Sequence, residues 1–286
     1  MEKRYWIHSV TPVHVGSGRG IGYIDLPIAR EKVTDWPYIP GSSIKGVIAD
    51  HFGATEEDRK KEDAAPEKIA AFGAAGDDAA LAGALVFSDA NILCLPIRSF
   101  YGTFAWATSP FCLERHGMST LLEEPPALYE AVVPENSLLA GGTTKMYLED
   151  LDLDVKVSPA AGNLAGEIRA SVFAGKEAWQ RMFAGRFVIV HDDMFTFLCK
   201  SGTEVNARIK IDPATGTASD GALWYEEALP VETILSGRVW CDRVYGGKFK
   251  ADELVRAFCS EPLTLQIGGK ASTGKGLVRC IFEDGE

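Results

Sequence analysis

The sequence lacks the features of a membrane, secreted or zinc-binding protein. Met1 leads into E-K-R-Y-W-I rather than a basic segment followed by an apolar one, and no apolar run approaches the roughly 18 residues of a membrane span. The six cysteines never form a C-x-x-C pair, so neither a zinc site nor a disulfide framework is indicated. We therefore expect a cytoplasmic protein with reduced thiols and no membrane partner.

Net positive charge is also missing. The chain carries 29 Lys and Arg against 40 Asp and Glu, a formal net charge of −11, whereas a protein that binds nucleic acid on its own is usually basic. The acidic residues are concentrated in 56–78 and 149–154, while the stretch 238–279 is locally basic. This distribution predicts an acidic outer face, a basic groove and weak binding of free RNA by the isolated chain.

The composition is that of an ordinary globular protein. An apolar content of 46% over 286 residues is enough for a sizeable core, in one large domain with insertions or in two closely packed units. Residues 54–82 have little apolar content before Ile69, which predicts a mobile insertion with a short helix around 67–72.

Glycines occupy every second position from 16 to 22, just after a first predicted strand over 5–15. Such a loop lets the backbone approach a polyanion closely. Asp25 follows in a D-L-P-I run, where Pro27 restricts the backbone and is expected to present the carboxylate rather than bury it. From the residues alone, an Asp at this position is more often a turn residue.

A helix is predicted to begin after Gly41. Ser42 or Ser43 is expected to be its N-cap, since apolar residues then recur at helical spacing from Ile44. Lys45 would lie in the first turn, where its ammonium and the free N–H groups suit a phosphate.

The remaining pattern predicts an α+β protein. A hairpin is expected over 204–227, with its turn at D-P-A-T-G, Arg208 and Lys210 on one face, and Ile209 and Ile211 on the other. Other predicted elements are a strand, turn and strand over 84–96, a helix over the aromatic residues 100–107, and a helix near Ser119. An exposed edge strand at D-L-D-L-D, strands at 144–148, 186–190, 228–242 and 277–282, and helices at 175–184 and 251–259 complete the set.

The loop 268–276 admits several interpretations. Its G-x-x-x-x-G-K pattern is followed by Gly276 instead of Ser or Thr, and a strand rather than a helix is predicted next, so a nucleotide-binding loop is disfavoured. A cradle for an RNA backbone, made by Gly268, Gly269, Lys270 and Lys275, competes with a simple tight turn.

Four ordered blocks resemble the RAMP superfamily, and within it the backbone subunit of the type III-B CRISPR (Cmr) effector complex. They are H-V-G-S-G…D-L-P-I-A-R-E with P-G-S-S-I-K-G, V-F-S-D-A with P-I-R-S-F-Y-G-T-F-A-W at 86–106, G-A-L-W-Y-E-E-A-L-P-V-E-T at 221–233, and L-Q-I-G-G-K-A-S-T-G-K-G-L-V-R at 265–279. The resemblance implies one RAMP domain over 1–286, with a ferredoxin-like (RRM-like) palm and the 204–227 hairpin inserted as a thumb.

The same resemblance implies an antiviral function. Copies of the chain would polymerise along a CRISPR guide RNA with other Cmr subunits, and would cleave complementary target RNA at regular intervals. Asp25 matches the family's cleavage residue, and would make the chain an endoribonuclease that depends on Mg²⁺ or Mn²⁺ held by this carboxylate. His14, Tyr225, Glu226 and Glu227 are possible helpers, although a structural histidine and a solvated strand end are the simpler interpretations.

The expected RNA-binding residues fall in the matched blocks. The palm would contribute Ser43, Lys45, Arg98, Gly268, Gly269, Lys270 and Lys275, and the thumb Arg208 and Lys210. Two other hypotheses stay open: a scaffold with the same fold and no catalysis, and a separate nucleotide-binding enzyme that uses the glycine loop.

Overall fold

The chain folds into an α+β structure with one large sheet, a separate hairpin and helices packed on the sheet. The computed structural model describes residues 2–18, 20, 22–61, 65–74, 82–118, 124–212, 214–244 and 248–284. The strands are β1 (Glu2–Ser9), β2 (Tyr38–Ile39), β3 (Leu85–Phe87), β4 (Ala90–Arg98), β5 (Phe104–Thr108), β6 (Glu130–Val133), β7 (Lys145–Leu148), β8 (Leu151–Val157), β9 (Phe187–Val190), β10 (Glu204–Ile211), β11 (Ala218–Ala228), β12 (Ile234–Cys241), β13 (Leu263–Gln266) and β14 (Leu277–Asp284). The helices are α1 (Gly41–His51), α2 (Glu56–Arg59), α3 (Pro66–Phe72), α4 (Pro110–Arg115), α5 (Pro159–Val172), α6 (Glu177–Ala184), α7 (Asp192–Ser201) and α8 (Ala251–Phe258).

The large sheet runs in the order β13, β14, β1, β12, β4, β5, β9, β6, β8 and β7, with β2 beside β4 and β3 beside β12. Neighbouring strands are antiparallel except for β5 with β9 and β6 with β8. The D-L-D-L-D segment is a strand, as expected, but β7 covers its outer side, so the edge position predicted for it is wrong.

Strand β1 lies inside this sheet and is covered on both faces. Tyr5, Trp6 and Ile7 are fully buried although successive side chains of a strand point to opposite faces. On one face His8 packs edge-on against Phe173 and Trp179, at the end of α5 and in α6. The strand ends at Ser9, earlier than the predicted Val15.

The hairpin β10–β11 forms a sheet of its own, with Arg208 paired with Trp224 and Ile209 with Leu223. Its observed arms agree with the predicted ones because the alternating pattern and the D-P-A-T-G turn are local signals. Ile209 and Leu223 are 52% and 55% exposed, so the apolar face of the hairpin is open to solvent.

Two local predictions are wrong. Residues 100–107 are not a helix: Phe104–Thr108 is strand β5, which joins β4 to β9 and buries Trp106 completely. The N-cap of α1 is Pro40 rather than a serine, because the side chain of Asp89 accepts a hydrogen bond from the N–H of Gly41 at 2.8 Å.

The segment 54–82 contains two helices in its described part, α2 and α3. The helix predicted around 67–72 is confirmed as α3, and its Phe72 is buried against Phe258 of α8, with ring centroids 5.0 Å apart. The helix predicted near Ser119 lies outside the described residues.

The six cysteines are free thiols, and five of them are buried. Among the described residues, none of the helices combines the length and apolar character that crossing a bilayer requires.

Candidate active site

Asp25 lies on an exposed segment that runs beside the base of the hairpin. Its Oδ2 accepts a hydrogen bond from the backbone N–H of Tyr225 at 2.8 Å. Leu26 extends the contact: its N–H donates to the carbonyl of Tyr225 at 3.0 Å, and its carbonyl accepts from the N–H of Glu227 at 3.0 Å. The segment therefore pairs in parallel with the end of β11 and presents Asp25 at the surface, as the sequence predicts.

Glu227 connects this segment to the core. It is only 2% exposed, which excludes the interpretation of a solvated strand end. One carboxylate oxygen accepts from the backbone N–H of Ile28 at 3.0 Å, and the other accepts from Arg30 at 2.5 Å and from the hydroxyl of Thr203 at 2.9 Å. Arg30 closes the D-L-P-I-A-R motif five residues after Asp25, but the sequence pattern does not mark it as a site residue.

His14 lies between β11 and the glycine loop. Because a carbonyl can only accept, its Nδ1 donates to the backbone oxygen of Glu227, at 2.6 Å, and in the neutral ring Nε2 carries the lone pair. The carbonyl of His14 accepts from the N–H of Gly269 at 2.9 Å. A Cβ at Gly16 would lie 3.2 Å from Nε2, so the glycine there leaves the ring edge uncrowded. His14 lies beyond the end of β1, which stops at Ser9.

Glu226 is surrounded by cationic groups, although it is only 3% exposed. One oxygen accepts from Lys270 and from the indole N–H of Trp224, both at 2.8 Å, and the other lies 3.5 Å from Arg208 and 3.9 Å from Lys275. Burial alone would raise the pKa of Glu226, but the hydrogen bonds from Lys270 and Trp224 and the charge of Lys275 outweigh it and lower the pKa to about 2. The carboxylate is therefore ionised at neutral pH.

The loop 268–276 brings both lysines, Lys270 and Lys275, to Glu226. Gly268 has a φ of 81°, and a Cβ there would lie less than 3.0 Å from the carbonyl oxygen of His14. Lys270 adopts a left-handed φ of 67°, and a 3-10 turn follows at Ala271–Thr273. Strand β14, not a helix, comes next, which argues against a nucleotide-binding loop of the strand–loop–helix type.

Lys275 is an unusual feature of this loop. Its side chain is 6% exposed, and among the described residues its ammonium has an ion pair with Glu226 but no hydrogen-bond partner. A buried ammonium without a hydrogen bond is costly, so the charge of Glu226 helps to keep it in place.

Two predicted RNA contacts lie away from this cluster. The Nζ of Lys45 donates to the carbonyl of Leu85 at 2.8 Å, and burial together with the nearby charge of Arg59 lowers the pKa of Lys45. Ser43 lies on the same helix and is half-buried. Leu85 pairs with Cys241, the last residue of β12. Glu227 precedes the first residue of β12, so Lys45 and Leu85 lie towards the other end of that strand.

The two other predicted contacts are exposed. Arg98 ends strand β4 with a side chain that is 75% exposed and paired with Glu149 at 3.1 Å. Lys210 is an exposed residue of β10, two positions beyond Arg208 towards the tip of the hairpin. Of the predicted site residues, the structure brings together Asp25, His14, Tyr225, Glu226, Glu227, Gly268, Gly269, Lys270, Lys275 and Arg208, and leaves Ser43, Lys45, Arg98 and Lys210 outside this set of contacts.

The donors near Asp25 limit the kind of metal site that fits. Nowhere in the described ranges do three His, Cys, Asp or Glu side chains group closely enough to hold an ion by themselves. One exposed carboxylate is nevertheless compatible with a hydrated Mg²⁺, which keeps several waters and takes one or two protein carboxylates alongside phosphate oxygens. Asp25 alone therefore suits only an ion whose coordination is completed by water and a phosphate-bearing ligand, not one enclosed by protein.

Comparison with known proteins identifies the family. The profile of the RAMP superfamily matches residues 6–279. The chain belongs to the RAMP superfamily. This RAMP chain is 31% identical to the CRISPR system Cmr endoribonuclease Cmr4 of Pyrococcus furiosus, over 97% of this chain and 94% of that protein.

Solved structures agree with this assignment. The crystal structure of oligomeric Cmr4 from Pyrococcus furiosus superposes on the RAMP chain with a TM-score of 0.71 and 26% identity, covering 99% of this chain and 98% of that one. A chain in a cryo-EM structure of the type III-B Cmr-beta complex bound to cognate target RNA shares the fold, with a TM-score of 0.74 and 19% identity over 99% of this chain and 97% of that one.

Proposed function

We propose that this chain is the repeating backbone subunit of a type III-B CRISPR effector in the cytoplasm, and that it cleaves target RNA complementary to a bound guide RNA. Its partners would be the guide RNA, the target RNA, further copies of itself and other Cmr subunits. The observation that carries the proposal is the exposed carboxylate of Asp25, bonded to the N–H of Tyr225 where the hairpin meets the glycine loop. The name of the 31% identical relative supports the endoribonuclease activity.

A ferredoxin-like palm is the second part of the proposal. Strands β14, β1, β12 and β4 are consecutive antiparallel neighbours, α1 follows β1 in the chain and α8 precedes β14. With these strands taken in chain order as first to fourth (β1, β4, β12, β14), the spatial order is fourth, first, third, second, as expected for a β-α-β-β-α-β unit. The β10–β11 hairpin, inserted before β12, would then be the thumb.

The proposed RNA path follows the cations. Lys270, Lys275 and Arg208 lie at the junction of palm and thumb, and the N–H groups of the glycine loop add donors suited to phosphate. Guide pairing would select the target sequence, while the protein contacts backbone and shape. Since Glu226 neutralises part of this positive charge and the whole chain has a net charge of −11, we expect weak RNA binding by the isolated subunit.

The more distant predicted contacts have a smaller part in the proposal. Arg98 and Lys210 are exposed and accessible to phosphates. Lys45 would first have to leave the carbonyl of Leu85, so we assign it and Ser43 to a separate stretch of guide.

The reaction proposed is attack by the 2′-OH of the target RNA on the adjacent phosphorus. The new O2′–P bond forms as the P–O5′ bond breaks, the 2′-OH proton passes to a base, and the leaving O5′ takes up a proton. Asp25 would stand beside the scissile phosphate, and Nε2 of His14 is the second candidate to accept a proton. Bound Mg²⁺ or Mn²⁺ would supply charge stabilisation at the phosphate.

A chemical test of this proposal uses the reconstituted complex and a guide-complementary RNA. Replacing the 2′-OH by hydrogen at one cleavage position should abolish that cut and leave the other, regularly spaced cuts unchanged. EDTA should abolish all of them. Continued cutting at the 2′-deoxy position would refute the 2′-OH mechanism, and cutting in EDTA would refute the metal dependence.

The alternative is a scaffold of the same complex without catalysis. It is favoured if the assembled complex binds guide and target and no cut depends on this subunit.

A further inference from the structure

We propose that Arg30 and Glu227 form a positioning pair that sets where the carboxylate of Asp25 lies relative to the hairpin. Neither residue would touch the reacting atoms; each would act through the backbone that carries Asp25. The inference rests on the proposed function, because it assumes that Asp25 takes part in cleavage.

Glu227 holds residues 26–30 through its backbone N–H and both of its carboxylate oxygens. Its backbone N–H donates to the carbonyl of Leu26 at 3.0 Å, and one carboxylate oxygen accepts from the N–H of Ile28 at 3.0 Å. The other oxygen accepts from the guanidinium of Arg30 at 2.5 Å. Glu227 thus holds the segment at residues 26, 28 and 30, directly after Asp25.

Arg30 anchors the far end of that segment. Its guanidinium also donates to the backbone carbonyls of Asp35 at 2.8 Å and Cys199 at 3.0 Å. Cys199 belongs to α7, so Arg30 ties the segment to a helix as well as to the hairpin. Lysine cannot reproduce this arrangement, because its single ammonium lacks the planar fork of donors.

Burial makes this pair stiff. The side chains of Arg30 and Glu227 are 12% and 3% exposed, so water competes little for their hydrogen bonds. Removing one partner would leave a buried charge uncompensated, whereas neutralising both avoids that penalty.

Asp25 is linked to this pair because it contacts the same strand, β11, as Glu227. The carboxylate bonds to the N–H of Tyr225, two residues before Glu227 on the same strand. A shift of residues 26–30 along β11 therefore moves the carboxylate relative to the RNA lying over the hairpin. Displacements of about 1 Å can reduce the rate of an oriented reaction by roughly 100-fold.

The test compares reconstituted complexes carrying four forms of the subunit. They are the wild type, Arg30→Lys, the neutralised pair Arg30→Gln with Glu227→Gln, and a matched control, Glu31→Gln with Arg115→Gln. The control neutralises a neighbouring ion pair, in which the carboxylate oxygens of Glu31 lie 2.5 and 2.9 Å from Arg115, and which has no hydrogen bond or ion pair with β11 in the described part of the chain. Single-turnover cleavage, target affinity and thermal unfolding are measured for each.

We expect the neutralised pair to lower the cleavage rate constant roughly 10- to 100-fold, with full reaction amplitude and unchanged target affinity. Arg30→Lys should fall between it and the wild type, and the control should keep the wild-type rate. A merely structural role would instead lower the amplitude, as unfolded subunits drop out, and leave the rate constant of the remaining cuts unchanged.

Two outcomes overturn the inference: a wild-type rate constant in the neutralised pair, or an equal loss in the control. Failure of the proposed function is recognised separately with Asp25→Ala. If that change leaves the cuts intact, Asp25 is not the cleavage residue; if it abolishes them while the neutralised pair cuts normally, only the positioning role is refuted.

Discussion

Replacing Gly268 by Ala should undock the glycine loop from His14. Gly268 has a φ of 81°, and an added methyl group would lie less than 3.0 Å from the carbonyl oxygen of His14. Left-handed backbone costs an alanine about 1–2 kcal/mol. Steric crowding adds about 1–3 kcal/mol, and the threatened hydrogen bond from Gly269 to the same oxygen about 0.5–1.5 kcal/mol. We expect a loss of roughly 3 to 5 kcal/mol in the free energy of unfolding.

A second glycine of the same loop provides the control. Gly274 has a φ of 80°, but a Cβ there would meet nothing within 4 Å. Gly274→Ala should therefore cost only the backbone strain, about 1–2 kcal/mol. Urea unfolding of the two purified full-length variants isolates the contact from the strain.

The comparison has a clear negative result. If both variants lose the same stability, the loop does not pack on His14 as described, and the placement of Lys270 and Lys275 has no steric basis. The expected difference between the variants is the crowding and hydrogen-bond cost, about 1.5–4.5 kcal/mol in the free energy of unfolding, together with weaker guide binding by Gly268→Ala.

Two further predictions concern the stability of the fold. Burial lowers the pKa of His116 from 6.5 to about 4. Between these two pKa values the unfolded chain therefore binds more protons, and the free energy of unfolding of the wild type should fall as the pH drops through that window. In urea titrations, His116→Gln should make the free energy of unfolding depend less on pH. An unchanged pH dependence would contradict the assignment. Phe72→Ala should lower the free energy of unfolding by about 3 kcal/mol, because Phe72 packs on Phe258. Val33→Ala, at a position that is 94% exposed, should change it by no more than about 0.5 kcal/mol in the same assay. Equal effects would mean that α3 is not packed against α8.

Local signals in the sequence were sufficient for some elements and not for others. The hairpin and helix α8 follow from alternation and amphipathic spacing, which need no knowledge of distant residues. The helix predicted for the aromatic segment around Trp106 is wrong because a short apolar run fits a strand or a helix, and its pairing with Phe187 of β9 joins distant parts of the chain. The cap of α1 failed for the same reason, since Asp89 is 48 residues from Gly41.

The site shows the same limit. The family resemblance singles out Asp25 as a candidate, but the burial of Glu226 and Glu227 cannot be predicted, because their partners Lys270 and Arg30 are 44 and 197 residues away. Two adjacent glutamates after aromatic residues look like a solvated strand end until those cations are placed. The hydrogen bond from Tyr225 to Asp25 spans 200 residues and involves backbone, so no side-chain pattern signals it.

The most direct measurement is cleavage of guide-complementary RNA by the reconstituted complex, with the wild type and Asp25→Ala compared in Mg²⁺. Target binding is measured in parallel. The proposed function predicts regularly spaced cuts by the wild type, and their loss in the variant with target affinity unchanged. Equal cutting by both proteins would contradict it, and would leave this chain as the scaffold that holds the guide.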